Sequence, residues 1–272
     1  MQGRLSKSSS GKIQEFPSTT WRSEFEKANK LGLNKIEWTV DFDNFKSNPI
    51  FLKSSQSEVN ELTSRFNVGV DSITLDNFVE APIHKTNEVS GKRSKLSDFV
   101  WIIENLFETQ IRTLVLPIVN EAGSFTNIDL DNLIKSLNEI TKHLLFGNFR
   151  VAVECEFNLN SIKKMLDSTD PDFIGINFDM GNSAGLGHDA ENELNICKGR
   201  IFNVHIKDRT LGGKTTKLGT GDVQFNVVAE SLKTMKYEGN LILQVAREFN
   251  KDEYETVKEW VDFCKMLGWT NE

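Results

Sequence analysis

Short apolar runs rich in Val and Ile alternate with longer stretches of helical spacing from one end of the chain to the other. No other feature constrains the fold as much. The runs fall at 1–5, 35–40, 68–75, 112–119, 150–157, 173–179, 201–207 and 240–245. Each is short and bounded by polar or turn-forming residues, as a strand should be. Between them, apolar positions recur at helical spacing over 19–30, 57–66, 95–109, 131–146, 159–168, 191–198, 223–235 and 253–267. Leu133, Leu137, Ile140, Leu144 and Leu145 form one such stripe, ended by Gly147. Val257, Trp260, Val261, Cys264 and Leu267 form another, ended by Gly268. Ser18, Thr19 and Thr20 offer capping hydroxyls ahead of Trp21, Phe25 and Ala28, and Gly32 follows as a stop.

Strict strand–helix alternation predicts a parallel sheet joined by crossover helices. Near-continuous apolar strands predict that both faces of that sheet are covered. About eight such units match an α/β fold, a single (β/α)₈ TIM barrel with eight parallel strands, which typically needs about 250 residues; the chain has 272. An open doubly wound sheet would carry a glycine-rich turn after an early strand, and none is visible. No linker, repeat or low-complexity segment divides the chain, so one domain over 1–272 is expected.

The net charge of −7 gives no basic footprint for nucleic acid at the whole-chain level. Cys155, Cys197 and Cys264 are far apart, odd in number and without a CxxC pair. That argues against a disulfide framework and for a reducing, cytoplasmic setting, with Cys155 as a packed core thiol. The opening MQGRLSKSSSGKIQEF lacks the apolar core of a secretory signal. No apolar stretch approaches the roughly 20 residues of a membrane span.

In a barrel of this kind chemistry sits where strands end. The fifth run reads Val151-Ala152-Val153-Glu154-Cys155-Glu156-Phe157. By the two-residue period Ala152, Glu154 and Glu156 share a face, which points inward if Val153 and Cys155 pack on helices. The sixth ends in Asp179 and continues Met180-Gly181-Asn182. The seventh reads Ile201-Phe202-Asn203-Val204-His205-Ile206-Lys207, then Asp208-Arg209. The eighth ends in Gln244, with Arg247 three residues on. Each end residue has a bland reading: a strand histidine packs in the core, and a strand-end aspartate caps a turn. Together, two carboxylates, an imidazole and an amide oxygen suit one divalent cation, Mn²⁺, Mg²⁺ or Co²⁺. Zn²⁺ stays open, although no thiolate accompanies the single His of a structural zinc site.

The opening MQGRLS, the turn FDMGNSAGLG, the segment VHIKDR and the later LGTGDVQF carry a resemblance over nearly the full chain. The sequence resembles the xylose isomerase-like TIM-barrel superfamily of sugar and sugar-phosphate isomerases and epimerases, which also holds endonuclease IV. The resemblance implies one divalent metal held by Glu154, Asp179, His205 and the position of Gln244, where the family has glutamate. It implies proton abstraction next to a carbonyl, giving an enediolate, with carboxylates of the fifth and eighth strands as bases. Gln244 cannot act as a base. Glu154 is then the expected base, and a one-base aldose–ketose isomerisation is preferred to a two-base epimerisation unless Glu156, Asp208 or Glu37 supplies the second. The alternatives are a keto-sugar or inositol dehydratase, and a non-catalytic sugar-binding barrel that has lost a metal ligand. An endonuclease IV-like role is disfavoured, because Asn182 stands where that relative has a His and no D-x-H follows the seventh strand. The expected partner is a small sugar or sugar phosphate, with no nucleic acid and no membrane, in a homodimer or homotetramer as is frequent in the resembling family.

Glu37, Glu156, Asn182, Lys207, Arg209 and Arg247 are the expected substrate-binding residues; Arg4 is set apart from them, near the end of the first strand. An acidic or phosphorylated sugar would explain the cations; ion pairs with Asp208 and neighbouring acids would explain them equally. Glu37 reads as a substrate contact or a buried ion pair. Trp38 and Phe157 could wall a pocket. His84 and His188 are expected at the surface, although each could reach substrate. The loop over 211–222 could cover substrate or offer backbone amides to an anion.

Overall fold

A computed structural model describes residues 1–2, 5–8, 14–43, 45–85, 96–118, 125–248 and 251–269. Seven parallel strands follow one another around the sheet: β1 (Lys35–Thr39), β2 (Gly69–Thr74), β3 (Thr113–Ile118), β4 (Arg150–Cys155), β5 (Ile174–Asp179), β6 (Ile201–Ile206) and β9 (Leu241–Leu243). Between β6 and β9 lies a small antiparallel hairpin, β7 (Asp208–Arg209) with β8 (Thr215–Thr216). The expected first strand is reduced to a bridge at Gln2. The Glu37 amide donates to Met1 O at 2.8 Å, and the Gln2 amide donates to Leu243 O at 3.2 Å. Met1 and Gln2 thus sit between β1 and β9 and bring a seven-strand sheet close to a closed barrel. Arg4 lies outside the described residues.

Eight of the helices match the spacing read from sequence: α1 (Trp21–Lys30), α2 (Lys53–Phe66), α4 (Leu96–Leu106), α5 (Asn127–Leu144), α6 (Leu159–Asp167), α8 (Ala190–Ile196), α9 (Phe225–Thr234) and α10 (Glu253–Met266). Helix α5 starts four residues earlier than its apolar stripe, because Thr126 and Asp129 form a reciprocal capping box. Leu133, Leu137, Ile140 and Leu144 are buried, but the chain tightens into a 3₁₀ turn after Leu144 and leaves Leu145 exposed. The hydroxyl expected to cap α1 does not: Thr20 makes no side-chain cap, and Pro17 O accepts from the Trp21 amide at 2.8 Å instead. Two short helices went unread, α3 (Asn77–Glu80) and α7 (Met180–Gly185). Neither is long enough to display a period. No helix among the described residues is long and apolar enough to cross a membrane.

The strands carry branched apolar residues outward to the helices, and one continuous apolar core results. The tightest approach of a glycine to another segment's backbone is at Gly175 on β5. A Cβ there would come 2.3 Å from the Arg200 carbonyl and 2.7 Å from the Phe202 ring. Backbone cannot yield as a side chain can, so Gly175→Ala should destabilise the protein by about 1–3 kcal/mol, the usual cost of overpacking a core. Urea unfolding measures this; an unchanged midpoint would show that β5 and β6 are not held this closely.

Candidate active site

The inward faces of the strands are polar toward one end of the barrel, and they meet around His205. Its Nε2 lies 2.7 Å from Glu37 Oε1 and its Nδ1 lies 3.0 Å from Glu154 Oε2. His205 and Glu37 are both 0% exposed. Thr74 Oγ1 donates to Glu37 Oε1 at 2.7 Å, and Asn203 Nδ2 donates to Glu37 Oε2 at 2.9 Å. Asn177 Nδ2 donates to Glu154 Oε2 at 2.8 Å. Asn177 lies two residues before Asp179 on β5 and Asn203 two before His205 on β6, so the two-residue period of the strands places each pair on one face.

Asp179 has two tasks. As the last residue of β5 it caps α7, its Oδ1 accepting from the Asn182 amide at 2.8 Å. Its Oδ2 accepts from Lys207 Nζ at 3.1 Å and lies 3.9 Å from His205 Nδ1. The capping reading and the site reading are therefore both satisfied, one by each oxygen. Asn182 ties the pieces together. Its Nδ2 donates to Glu154 Oε1 at 3.1 Å, and its Oδ1 accepts from Lys207 Nζ at 3.1 Å and Arg209 Nη1 at 2.8 Å. Arg209 Nη1 also pairs with Glu156 at 2.7 Å.

Glu154, Asp179 and His205 each offer a ligand atom within 4.8 Å of the others, so this trio could hold a metal ion. The residues fit such a group: His205 is anchored through Nε2 by Glu37, which leaves Nδ1 facing the two carboxylates, the arrangement that orients ligating histidines. Of the trio, Glu154 opens into a cavity of about 410 Å³ lined also by Glu156, Asn182, Lys207, Arg209 and Gln244 among others, while Asp179 and His205 are buried beside Glu154 and do not line it. The wall also includes Gln14, Asp41, Phe42, Asp76, Glu80 and Thr215. Most of these belong to loops that follow strands, and nothing in the sequence marks them. Asn177 and Asn203 could have been found from the strand period.

Several expected placements change. Arg247 is not among the described residues lining the cavity; its buried guanidinium donates to Ser6 O at 2.7 Å and pairs with Glu253 at 3.1 Å. It clamps an N-terminal segment to the start of α10. Glu37 lies beneath His205 as its ion-pair partner, too deep to meet substrate. Trp38 points outward: it packs on Phe16 and Trp21, and its Nε1 donates to Asn48 Oδ1 at 2.8 Å. Phe157 is stacked on Phe125 at 4.1 Å. His84 is buried rather than on the surface, and His188 is half-buried against Glu193 at 3.0 Å. Two backbone amides of the 211–222 loop are already engaged by an internal anion: Gly219 and Gly221 donate to Asp208 Oδ2, each at 2.9 Å, and Val223 just beyond the loop donates to Asp208 Oδ1 at 3.2 Å.

Burial alone would lower the His205 pKa, but Glu37 and Glu154 on either side outweigh it and raise it to about 10. Burial pushes Glu154 up, yet the charge and hydrogen bond of His205, with Lys207, hold it below the usual carboxylate value. For Asp179, burial with Glu154 nearby wins against Lys207 and His205, and it is raised. A histidine raised on folding stabilises fully below its unfolded value, about 6.5, and that stability is lost as pH rises through the folded value. In chelator-treated protein, Tm should therefore fall between pH 7 and about 10, and His205→Gln should flatten that slope. A wild-type Tm as flat as the variant's would contradict a charged His205.

Comparison with known proteins bears on the fold and the family. Curated relatives include the inosose dehydratase of Mesomycoplasma hyopneumoniae (strain 7448), 26% identical over 176 residues, which are 56% of this chain and 59% of that protein. The inosose dehydratase of Clostridium tetani is 26% identical over 155 residues, 48% of this chain and 52% of that protein. The chain thus spans less than two thirds of these relatives. Among solved structures, an L-ribulose 3-epimerase superposes with a TM-score of 0.75 at 14% identity, covering 98% of this chain and 93% of its own. The D-allulose 3-epimerase of a Methylomonas species, in complex with D-allulose, gives 0.73 at 13% identity, covering 97% and 95%. Identities this low speak to the fold alone. The xylose isomerase-like TIM barrel family model matches residues 25–268, and the chain belongs to that family.

Proposed function

We propose that this protein is a metal-dependent enzyme that enolises a neutral polyhydroxy ketone or aldehyde, within the sugar isomerase and epimerase class. The observation that carries this reading is the convergence of Glu154, Asp179 and His205, of which Glu154 opens into a cavity large enough for a monosaccharide. These three would hold one divalent ion, with Mn²⁺, Mg²⁺ or Co²⁺ suited to the donor set. When bound, such an ion polarises a carbonyl as a Lewis acid. The chain's own residues do the rest. Glu154 takes the proton from the carbon next to the carbonyl. Asn177 and Asn182 fix both of its oxygens.

The candidate second bases are engaged elsewhere. Asp208 caps the 211–222 loop, Glu37 pairs with His205 beneath the floor, and Glu156 pairs with Arg209. One-base chemistry on one face of the substrate is favoured, which supports aldose–ketose isomerisation over epimerisation. Dehydration of a keto-cyclitol shares the same first step, and the resemblance to inosose dehydratases favours it as the second reading.

A neutral substrate follows from the cations. Lys207 pairs with Asp179 and Arg209 with Glu156, and Arg247 is committed to Ser6 and Glu253. A phosphate would have to break one of these pairs. The direct test is exchange of the hydrogen next to the carbonyl with D₂O, followed by NMR for a panel of ketoses and inososes with Mn²⁺. Wild type should exchange at least one of them, and Glu154→Gln should slow this by about 10²–10⁴-fold, the usual worth of a general base. Full exchange in the variant would remove Glu154 from the mechanism.

A further inference from the structure

Lys207 lies one residue beyond β6, and the structure builds a place for it. A Cβ on Gly181 would come 2.7 Å from Lys207 Cγ and 3.2 Å from its Cβ and Cδ. The lysine stem therefore crosses α7 through a gap that only glycine leaves. Its ammonium has three hydrogens and meets three acceptors: Asp179 Oδ2 at 3.1 Å, Asn182 Oδ1 at 3.1 Å and Gln244 Oε1 at 3.3 Å. Gln244 Nε2 in turn donates to Gln14 Oε1 at 3.2 Å, and Gln14 Nε2 donates to Asp76 Oδ2 at 2.5 Å. This chain of amides turns the Gln244 oxygen toward Lys207. A glutamate could accept from Lys207 but could not donate to Gln14.

We propose that Lys207 is a catalytic electrophile of the enolisation and that Gln244 is the positioning residue that leaves one of its N–H groups exchangeable. The role rests on the enolisation reading given above. In the step, the C–H bond next to the carbonyl breaks and its proton goes to Glu154. The electron pair left behind forms the carbon–carbon double bond, and the carbonyl π pair moves onto oxygen. That oxygen gains negative charge and accepts a hydrogen bond from the Lys207 ammonium, which keeps its proton. The bond given up is the one to Gln244, the longest of the three and one to a neutral oxygen. Asp179 is charged, and the Asn182 oxygen is also held by Arg209. A carboxylate at 244 would form a second ion pair with Lys207 that a substrate oxygen could not displace. The amide at the end of β9 is then not a weakened metal ligand but the feature that frees the lysine.

The test compares wild type with Lys207→Met and Gln244→Glu in the exchange assay, with Mn²⁺ affinity measured by calorimetry on the same proteins. Lys207→Met should lower kcat by about 100-fold with little change in KM, as expected when one donor to a developing oxyanion is removed. Gln244→Glu should lower kcat at least about 10-fold while its Mn²⁺ affinity stays equal or rises, which rules out metal loss and misfolding as the cause. Turnover in Gln244→Glu equal to or above wild type would overturn the proposal, because position 244 would then be acting only through the metal. Exchange by wild type with kcat unchanged in Lys207→Met would overturn it as well. Absence of exchange by wild type on every substrate would instead defeat the enolisation reading, and this role with it.

Discussion

The clamp of His205 between Glu37 and Glu154 is the interaction on which the rest of the site depends. An imidazole with no exposure to water would ordinarily be neutral; here a carboxylate at 2.7 Å on one side and another at 3.0 Å on the other keep it charged. The arrangement is costly to disturb, since removing one partner of a buried ion pair typically costs about 3–5 kcal/mol. It also sets direction. Glu37 is itself fixed by Thr74 and Asn203, so the imidazole plane is determined from below, and Nδ1 is presented to Glu154 and Asp179 above. The barrel supplies these groups from β1, β2, β4, β5 and β6, which explains why closure by Met1 and Gln2 matters: Gln2 Nε2 donates to Thr74 Oγ1 at 2.7 Å, so the closing segment joins the same polar layer.

Charge balance organises the layer above. Glu154 and Asp179 face Lys207 and His205, and Glu156 faces Arg209. The pattern leaves the described cations of the cavity, Lys207 and Arg209, committed to carboxylates, so under the proposed function recognition of a sugar would fall to hydrogen bonds and to a metal ion held by Glu154, Asp179 and His205. Gln244 belongs to this layer as a connector. An amide has a donor at one end and an acceptor at the other, and only such a group can join Lys207 to Gln14.

The alternation of apolar runs was enough to read the barrel and its strand order, because each strand is buried on both faces and each crossover helix shows a clean stripe. The strand-end residues Glu154, Asp179 and His205 were legible for the same reason: a titratable side chain inside an apolar run needs an explanation. What escaped were features that depend on three-dimensional approach. Arg247 follows the end of β9 closely in sequence, yet the chain turns it away from the cavity toward Glu253. Trp38 is adjacent to Glu37 and therefore on the opposite face, a consequence of the two-residue period that places it with Trp21. Helix α7 is too short to show a pattern, although it carries Asn182 and the glycine that admits Lys207. Gln14, Asp41 and Asp76 reach the cavity from loops whose paths no periodicity encodes.

If Glu154, Asp179 and His205 hold a metal ion, the imidazole charged by its two carboxylate neighbours must give up its proton as the ion binds. Calorimetric titration of chelator-stripped protein with Mn²⁺ in two buffers of different ionisation enthalpy tests it most directly. The expected result is a single site, release of about one proton for each ion bound as His205 is deprotonated, and loss of binding in His205→Ala. Binding without proton release, or binding that survives His205→Ala, would contradict it.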